Sequence, residues 1–254
     1  MTSADTGPVI EICIDSIAGV RAAIAAGAQR VELCAGLLEG GITPSAGMIR
    51  AAVAAAAGAI KVHVIIRPRG GDFLFDADEV EAMAADLDTA RGAGADGVVI
   101  GQLLADGRID VATTKRLIER AGPLSVTFHR AFDMSRDPFE ALDALIDLGI
   151  DRVLTSGQEP SVLQGAPLIR RLIERAGDRL VIMPGGDITE RNVARILAET
   201  GAREIHFAAF ETAPSAMRWR NEAVYMGGTL RPPEYDRPVT TPGAITAVTS
   251  AIPR

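Results

Sequence analysis

One pattern recurs along this chain: a glycine, three variable residues, then an apolar–any–apolar triplet. It runs through "GAQRVEL", "GAIKVHV", "GADGVVI", "GPLSVTF", "GIDRVLT", "GDRLVIM" and "GAREIHF", the fifth ending on Thr155 in place of an apolar residue. Each glycine closes a stretch of helical periodicity. It therefore reads as the residue just past a helix C-terminus, where positive φ is favoured, with a short loop and a strand to follow. The run "VIEICID" adds an eighth strand at the front. Between the strands the apolar period lengthens to that of a helix. Val80, Met83, Ala84 and Leu87 share one face, and so do Leu168, Leu172, Ile173 and Ala176. Helix starts are expected at Thr43, Asp137 and Thr241, each a capping residue followed by proline at the first helical position.

Strands alternating with helices imply a parallel sheet with crossover helices. Eight such units in 254 residues predict an α/β chain folded as a single (β/α)8 TIM barrel domain spanning 1–254. The rival is an open doubly wound sheet, but no Gly-rich dinucleotide turn follows the first strand. Two stretches depart from the pattern. "RPRGGDFLFDAD" is a polar, Gly-rich connection after the third strand, and residues from about 208 to 240 read as a long loop before the last helix.

Barrel geometry fixes which way the strand side chains point, because the outward face packs under helices and must be apolar. With Ile10, Ile12 and Ile14 outward, Glu11, Cys13 and Asp15 point into the lumen. Outward Val31 and Leu33 send Glu32 and Cys34 inward; outward Val62 and Val64 do the same for His63, Ile65 and Arg67. Val126 and Phe128 leave Thr127 and His129 inside, and Ile205 and Phe207 leave His206 inside. All three histidines and both cysteines of the chain thus face the lumen. Buried charges are costly unless paired, hydrogen-bonded or metal-bound, so this inward set marks a site near the C-terminal mouth, where barrel enzymes keep their chemistry.

Composition narrows the partner. The net charge of -7 and the lack of a Lys/Arg cluster argue against nucleic acid and anionic membranes. No secretory signal and no membrane-length apolar run is visible, so the cytoplasm is the expected compartment, and the two cysteines are expected as free thiols. A metal ion or a small anionic ligand is left as partner. For an anion, the residues supply the equipment of an isomerase, lyase or hydrolase. Arg67 and Arg69 in "RPRGGDF" suit a carboxylate or phosphate clamp, His129 an acid/base role beside Arg130 and Asp133, and Glu11 or Glu32 a partner base. Ser156 and Gly157 in "RVLTSG", Gly185 and Gly186 in "MPGGDIT", and His206 are the expected substrate-contacting positions. "MPGGDIT" lies where many barrels bind phosphate, although Asp187 repels phosphate unless it caps the next helix.

The motifs "EICIDS", "VELCAGLLEGGITPS", "IIRPRGGDF", "VTFHRAFD", "RVLTSG" and "MPGGDIT", in this order, resemble the CutC family of copper homeostasis proteins, from about Val9 through "SAMRWRN". The resemblance implies a (β/α)8 barrel that binds copper in the cytoplasm and assembles into dimers or larger homo-oligomers. It also implies Cys13 and Cys34 as copper ligands, a set that suits Cu(I), which favours soft thiolates. Because adjacent barrel strands feed alternate layers, the two sulfurs are expected at different heights.

Overall fold

The computed structural model describes residues 7–225 and 235–253. Eight parallel strands form the barrel: β1 (Val9–Ile14), β2 (Arg30–Leu33), β3 (Lys61–Ile65), β4 (Gly97–Ile100), β5 (Ser125–Phe128), β6 (Arg152–Thr155), β7 (Val181–Pro184) and β8 (Glu204–Ala208). They are hydrogen-bonded in the order β7-β6-β5-β4-β3-β2-β1-β8, and a single parallel bridge between Gly185 and His206 joins the two ends. Helices follow the strands: α1 (Ile17–Ala25), α2 (Ala46–Ala56), α3 (Ala77–Gly92), α4 (Val111–Ala121), α5 (Pro138–Asp147), α6 (Val162–Ala176), α7 (Val193–Thr200) and α8 (Pro242–Thr249).

The glycines that open the repeated motif behave as their chemistry predicts. Gly27, Gly58, Gly94, Gly122, Gly149, Gly177 and Gly201 all take positive φ at the loop that turns each helix toward its next strand. The outward residues Ile12, Val31, Val62, Val126 and Ile205 pack with Val80's neighbours Met83, Ala84 and Leu87 in one continuous core between barrel and helices. On α6 the fully buried line runs through Gly165, Ile169, Leu172 and Ala176, with Leu168 and Ile173 half-buried at its flanks.

Two local expectations need correction. Asp137 and Thr241 cap α5 and α8 as their sequence implies, but α2 starts at Ala46 with Ser45 as its cap. Thr43 is engaged elsewhere: its hydroxyl accepts from the Arg67 amide at 2.9 Å and donates to the Arg67 carbonyl at 3.1 Å. Asp187 does not cap α7 either. That helix begins at Val193 behind Asn192, whose side-chain amide donates to the Asp187 carbonyl at 2.7 Å. The stretch read as a long loop holds an antiparallel ribbon, β9 (Phe210–Pro214) with β10 (Asp236–Thr240), and its 226–234 portion lies outside the described residues. Both ribbon strands are largely exposed and carry prolines, so neither shows the apolar alternation by which a buried strand is read.

Candidate functional site

The lumen is built in two polar layers. In the lower one, β1 sets Glu11 opposite Arg30 of β2 and His206 of β8. Glu11 is fully buried and pairs with Arg30; its other oxygen bonds His206 Nδ1 at 2.7 Å. Arg30 also pairs with Glu204, and Arg152 reaches Glu204 at 2.7 Å and the Thr127 hydroxyl at 3.2 Å. Burial alone would raise the Glu11 carboxyl, but the His206 bond and Arg30 outweigh it and hold it well below the usual carboxylate range. His63 of β3 lies 4.0 Å from Glu11 and is pushed down to about 4, chiefly by burial. Its ring fills the space left by Gly97, where a Cβ would come within 2.5 Å of Nε2. Arg30, Arg152 and Glu204 were not among the sequence-read candidates. The same alternation contains them, since each lies two residues before an inward residue: Glu32, Leu154 or His206.

The upper layer holds the thiols. Cys13 is level with Glu32, and Cys34 follows one inward rung higher, as expected for adjacent strands. The height difference does not separate them, because Cys13 Sγ and Cys34 Sγ are 3.9 Å apart. Both thiols are free. Cys34 Sγ also donates to Glu32 at 3.4 Å, and His206 Nε2 lies 3.7 Å from the same carboxylate. Cys13, Glu32 and His206 each offer a ligand atom within 4.8 Å of one another. The sequence reading gave Glu32 as a candidate base and His206 as a substrate contact, with His and Glu ligation of a divalent metal as an alternative.

The electrostatics of this layer are coupled. The Cys34 hydrogen bond draws the Cys13 thiol down to about 6 against its burial, with His206 assisting. The same bond and burial push Cys34 well above the ordinary thiol range. Burial lifts Glu32 to about 8, with Cys13 and Glu11 adding to the rise and His206 opposing it. Burial opposes the charge on His206, but Glu32, Cys13 and Glu11 together raise it well above the histidine range.

Above the thiols a cavity of about 110 Å³ is lined by Cys13, Glu32, Ile65, Arg67, Phe73, His129, Arg130, Leu154 and His206. Of the residues read from sequence, Glu32, Arg67, His129, Arg130, His206 and Cys13 come together here, while Glu11 is sealed in the layer below. Arg69 turns outward and is held by Glu79 at 2.5 Å and Asp72 at 3.0 Å. Asp133 works as an anchor. It accepts from Arg130 Nε at 2.7 Å, from the Ser156 and Gln158 amides and from the Thr155 hydroxyl, so it fixes the loop after β6 and aims Arg130. Ser156 completes that link by accepting from Arg130 at 2.7 Å. The Gly157 amide is taken by the Thr155 hydroxyl and the Gly185 amide by the Thr155 carbonyl. Gly186 lies beside the Arg130 guanidinium. The tail residues Ser215, Met217, Arg218, Arg220 and Asn221 are outside the cavity lining. Met217 and Trp219 are exposed, and Arg220 stacks over Tyr235.

Comparison with known proteins bears on this geometry. The CutC family profile matches residues 8–211. This chain belongs to the CutC family. A CutC family protein of Mesorhizobium japonicum is 50% identical over 244 residues, covering 96% of this chain and 94% of its own. The human copper homeostasis protein cutC homolog is 50% identical over 237 residues, covering 93% of this chain and 86% of its own. A CutC crystal structure from Streptococcus agalactiae superposes with a TM-score of 0.76 at 33% identity, covering 79% of this chain and 98% of that one. Membership accounts for the barrel and for the order of the motifs. Among the described residues, no helix is long and apolar enough to cross a membrane.

Proposed function

We propose that this CutC chain binds Cu(I) through Cys13 and Cys34 and serves copper homeostasis in the cytoplasm. The observation that carries the reading is the sulfur pair. Two thiols on neighbouring strands stand 3.9 Å apart, Cys13 lining a cavity and Cys34 buried beside it. With metal–thiolate bonds of about 2.3 Å, two sulfurs on one ion lie at most about 4.6 Å apart, so a single ion reaches both. Soft thiolates suit Cu(I), and one of the two is already drawn toward its anion. His206 supports the same reading. Its Nδ1 is bound by Glu11 at 2.7 Å, which orients the ring and leaves Nε2 facing Glu32, the arrangement found around metal-ligating histidines. Binding between the sulfurs displaces thiol protons, so affinity rises with pH as the thiols are deprotonated. A reducing compartment keeps both thiols available, and a homo-oligomer would cover the exposed Met217 and Trp219.

The test is an anaerobic Cu(I) titration against a competing chelator, using the parent protein with Cys13→Ser and Cys34→Ser. One ion per chain is expected, with affinity reduced in either variant by more than about 100-fold, beyond the range typical of outer-shell changes. Binding indifferent to both substitutions overturns the two-thiolate site.

A further inference from the structure

Above the thiols, two buried polar groups have no partner. Arg67 is 5% exposed, and its guanidinium donates to the carbonyls of Glu39 at 2.8 Å, Gly41 at 2.9 Å and Gly71 at 2.9 Å. All three are neutral acceptors, and among the described residues no carboxylate lies in ion-pair range of Arg67. Its Nε–H is buried with no acceptor. An unpaired buried cation is costly, and three backbone bonds satisfy its donors without cancelling its charge.

His129 presents the second group. Its Nδ1 accepts from the Ala131 amide at 3.1 Å, which places the ring proton of the neutral form on Nε2. That Nε2–H is also buried and unpartnered. Burial, with Arg67 near, drives His129 down to about 3, so the ring is neutral at physiological pH and donates from Nε2. The ring occupies the space opened by Gly101, where a Cβ would approach it to 2.4 Å, and it leans on Phe73 with ring centres 5.1 Å apart. The tilt and the close fit hold the donor in place.

We propose that this cavity binds a small monocarboxylate, held by Arg67 Nε–H and His129 Nε2–H, with Phe73, Ile65 and Leu154 as the apolar wall for its carbon end. Charge selects the class. Arg130, the other arginine of the lining, is already matched by Asp133, and His206 is bonded by Glu11, so Arg67 is the lining cation with no described carboxylate in ion-pair range. A dianion such as phosphate would exceed its single charge while facing Glu32 and Cys13 on the same wall. Size selects within the class, because about 110 Å³ is well below the roughly 300–1,000 Å³ of pockets for drug-sized ligands. The ligand has a handful of heavy atoms. This inference is separate from the copper reading, since neither sulfur is asked to hold the acid.

The experiment is a titration of metal-free protein, carrying 15N-labelled histidine, with acetate, pyruvate and inorganic phosphate. It is followed by calorimetry and by the His129 Nε2–H signal. Acetate or pyruvate is expected to bind saturably and to shift that signal. Arg67→Met should weaken binding by more than about 30-fold, the scale of removing one partner of a buried charge pair. His129→Phe, which removes one charge-assisted hydrogen bond, should weaken it by about tenfold. If Arg67→Met fails to fold, the shift in the parent protein still decides the matter. No saturable response to either acid overturns the proposal, and so does phosphate binding in preference to both. Because the protein is metal-free, a failure here leaves the chelator titration unaffected.

Discussion

Glu11, Arg30, Glu204 and Arg152 neutralise one another below Cys13 in an unbroken chain of ion pairs, whereas at the mouth Arg67 donates to three carbonyls, keeps one N–H without an acceptor and has no described carboxylate within ion-pair range. The two layers share strands, burial and residue types. They differ in whether the charges balance. A balanced buried network holds the barrel shut and offers no handle to a ligand. Among the described residues, the upper layer has a cation with no carboxylate in ion-pair range, two thiols in contact, and two buried N–H groups without acceptors. Inward charge alone therefore does not mark a functional residue in this barrel, and an unpartnered polar atom does so only where it adjoins the cavity, since His63 Nδ1 in the lower layer is also buried without a partner.

The most severe way to break the contrast is to unbalance the lower layer. Glu11→Ala removes the partner of Arg30 and His206 at a fully buried site, and loss of one member of a buried pair costs about 3–5 kcal/mol. Urea unfolding should show a drop of that size. A loss below about 1 kcal/mol would mean that the lower layer is as open to water as the mouth.

Much of this division was legible in the sequence, and the remainder was not for physical reasons. Period-two alternation placed Glu11, Cys13, Glu32, Cys34, His63, His129 and His206 in the lumen, because an outward polar residue would have to sit under a helix. It could not say which inward residues satisfy each other. That depends on register between strands far apart in the chain, such as Glu11 against His206. Alternation carried past the end of β3 points Arg67 inward, as found, but by the same count it also points Arg69 inward, where loop carbonyls and Glu79 instead hold it outward. Thr43 was misread for a related reason. A hydroxyl before proline satisfies a helix cap locally, but here the Arg67 backbone claims it across the loop.

Acid tests the comparison through the buried histidines. His63 and His129 are buried neutral, at about 4 and about 3, while an unfolded chain titrates near the ordinary histidine value. Between those limits the unfolded state binds more protons, so stability rises with pH across the window. It is complete above about pH 6.5 and is lost as pH falls toward the folded values, by on the order of 3 kcal/mol for His63. Urea midpoints between neutral pH and the acid limit should fall along that course. His129→Phe should fall less steeply than the parent protein, because one of the two histidines has gone. Equal slopes would show that His129 is already solvated in the folded state.

The smallest effect gives the finest distinction, because it compares two arginines separated by one proline. Arg69 is more than a third exposed on its side chain and is tied to Glu79 and Asp72 at the surface, where such pairs contribute little. Arg69→Ala should therefore shift the unfolding midpoint only slightly and leave pyruvate titrations of the metal-free protein unchanged. Its charge is already answered by two acids, and it lines no part of the cavity. If Arg69→Ala instead weakened pyruvate binding as much as Arg67→Met, the loop after β3 would have to turn inward on binding. The anion would then be held by a clamp of two arginines, and charge balance in the empty barrel would no longer predict which residues meet a ligand.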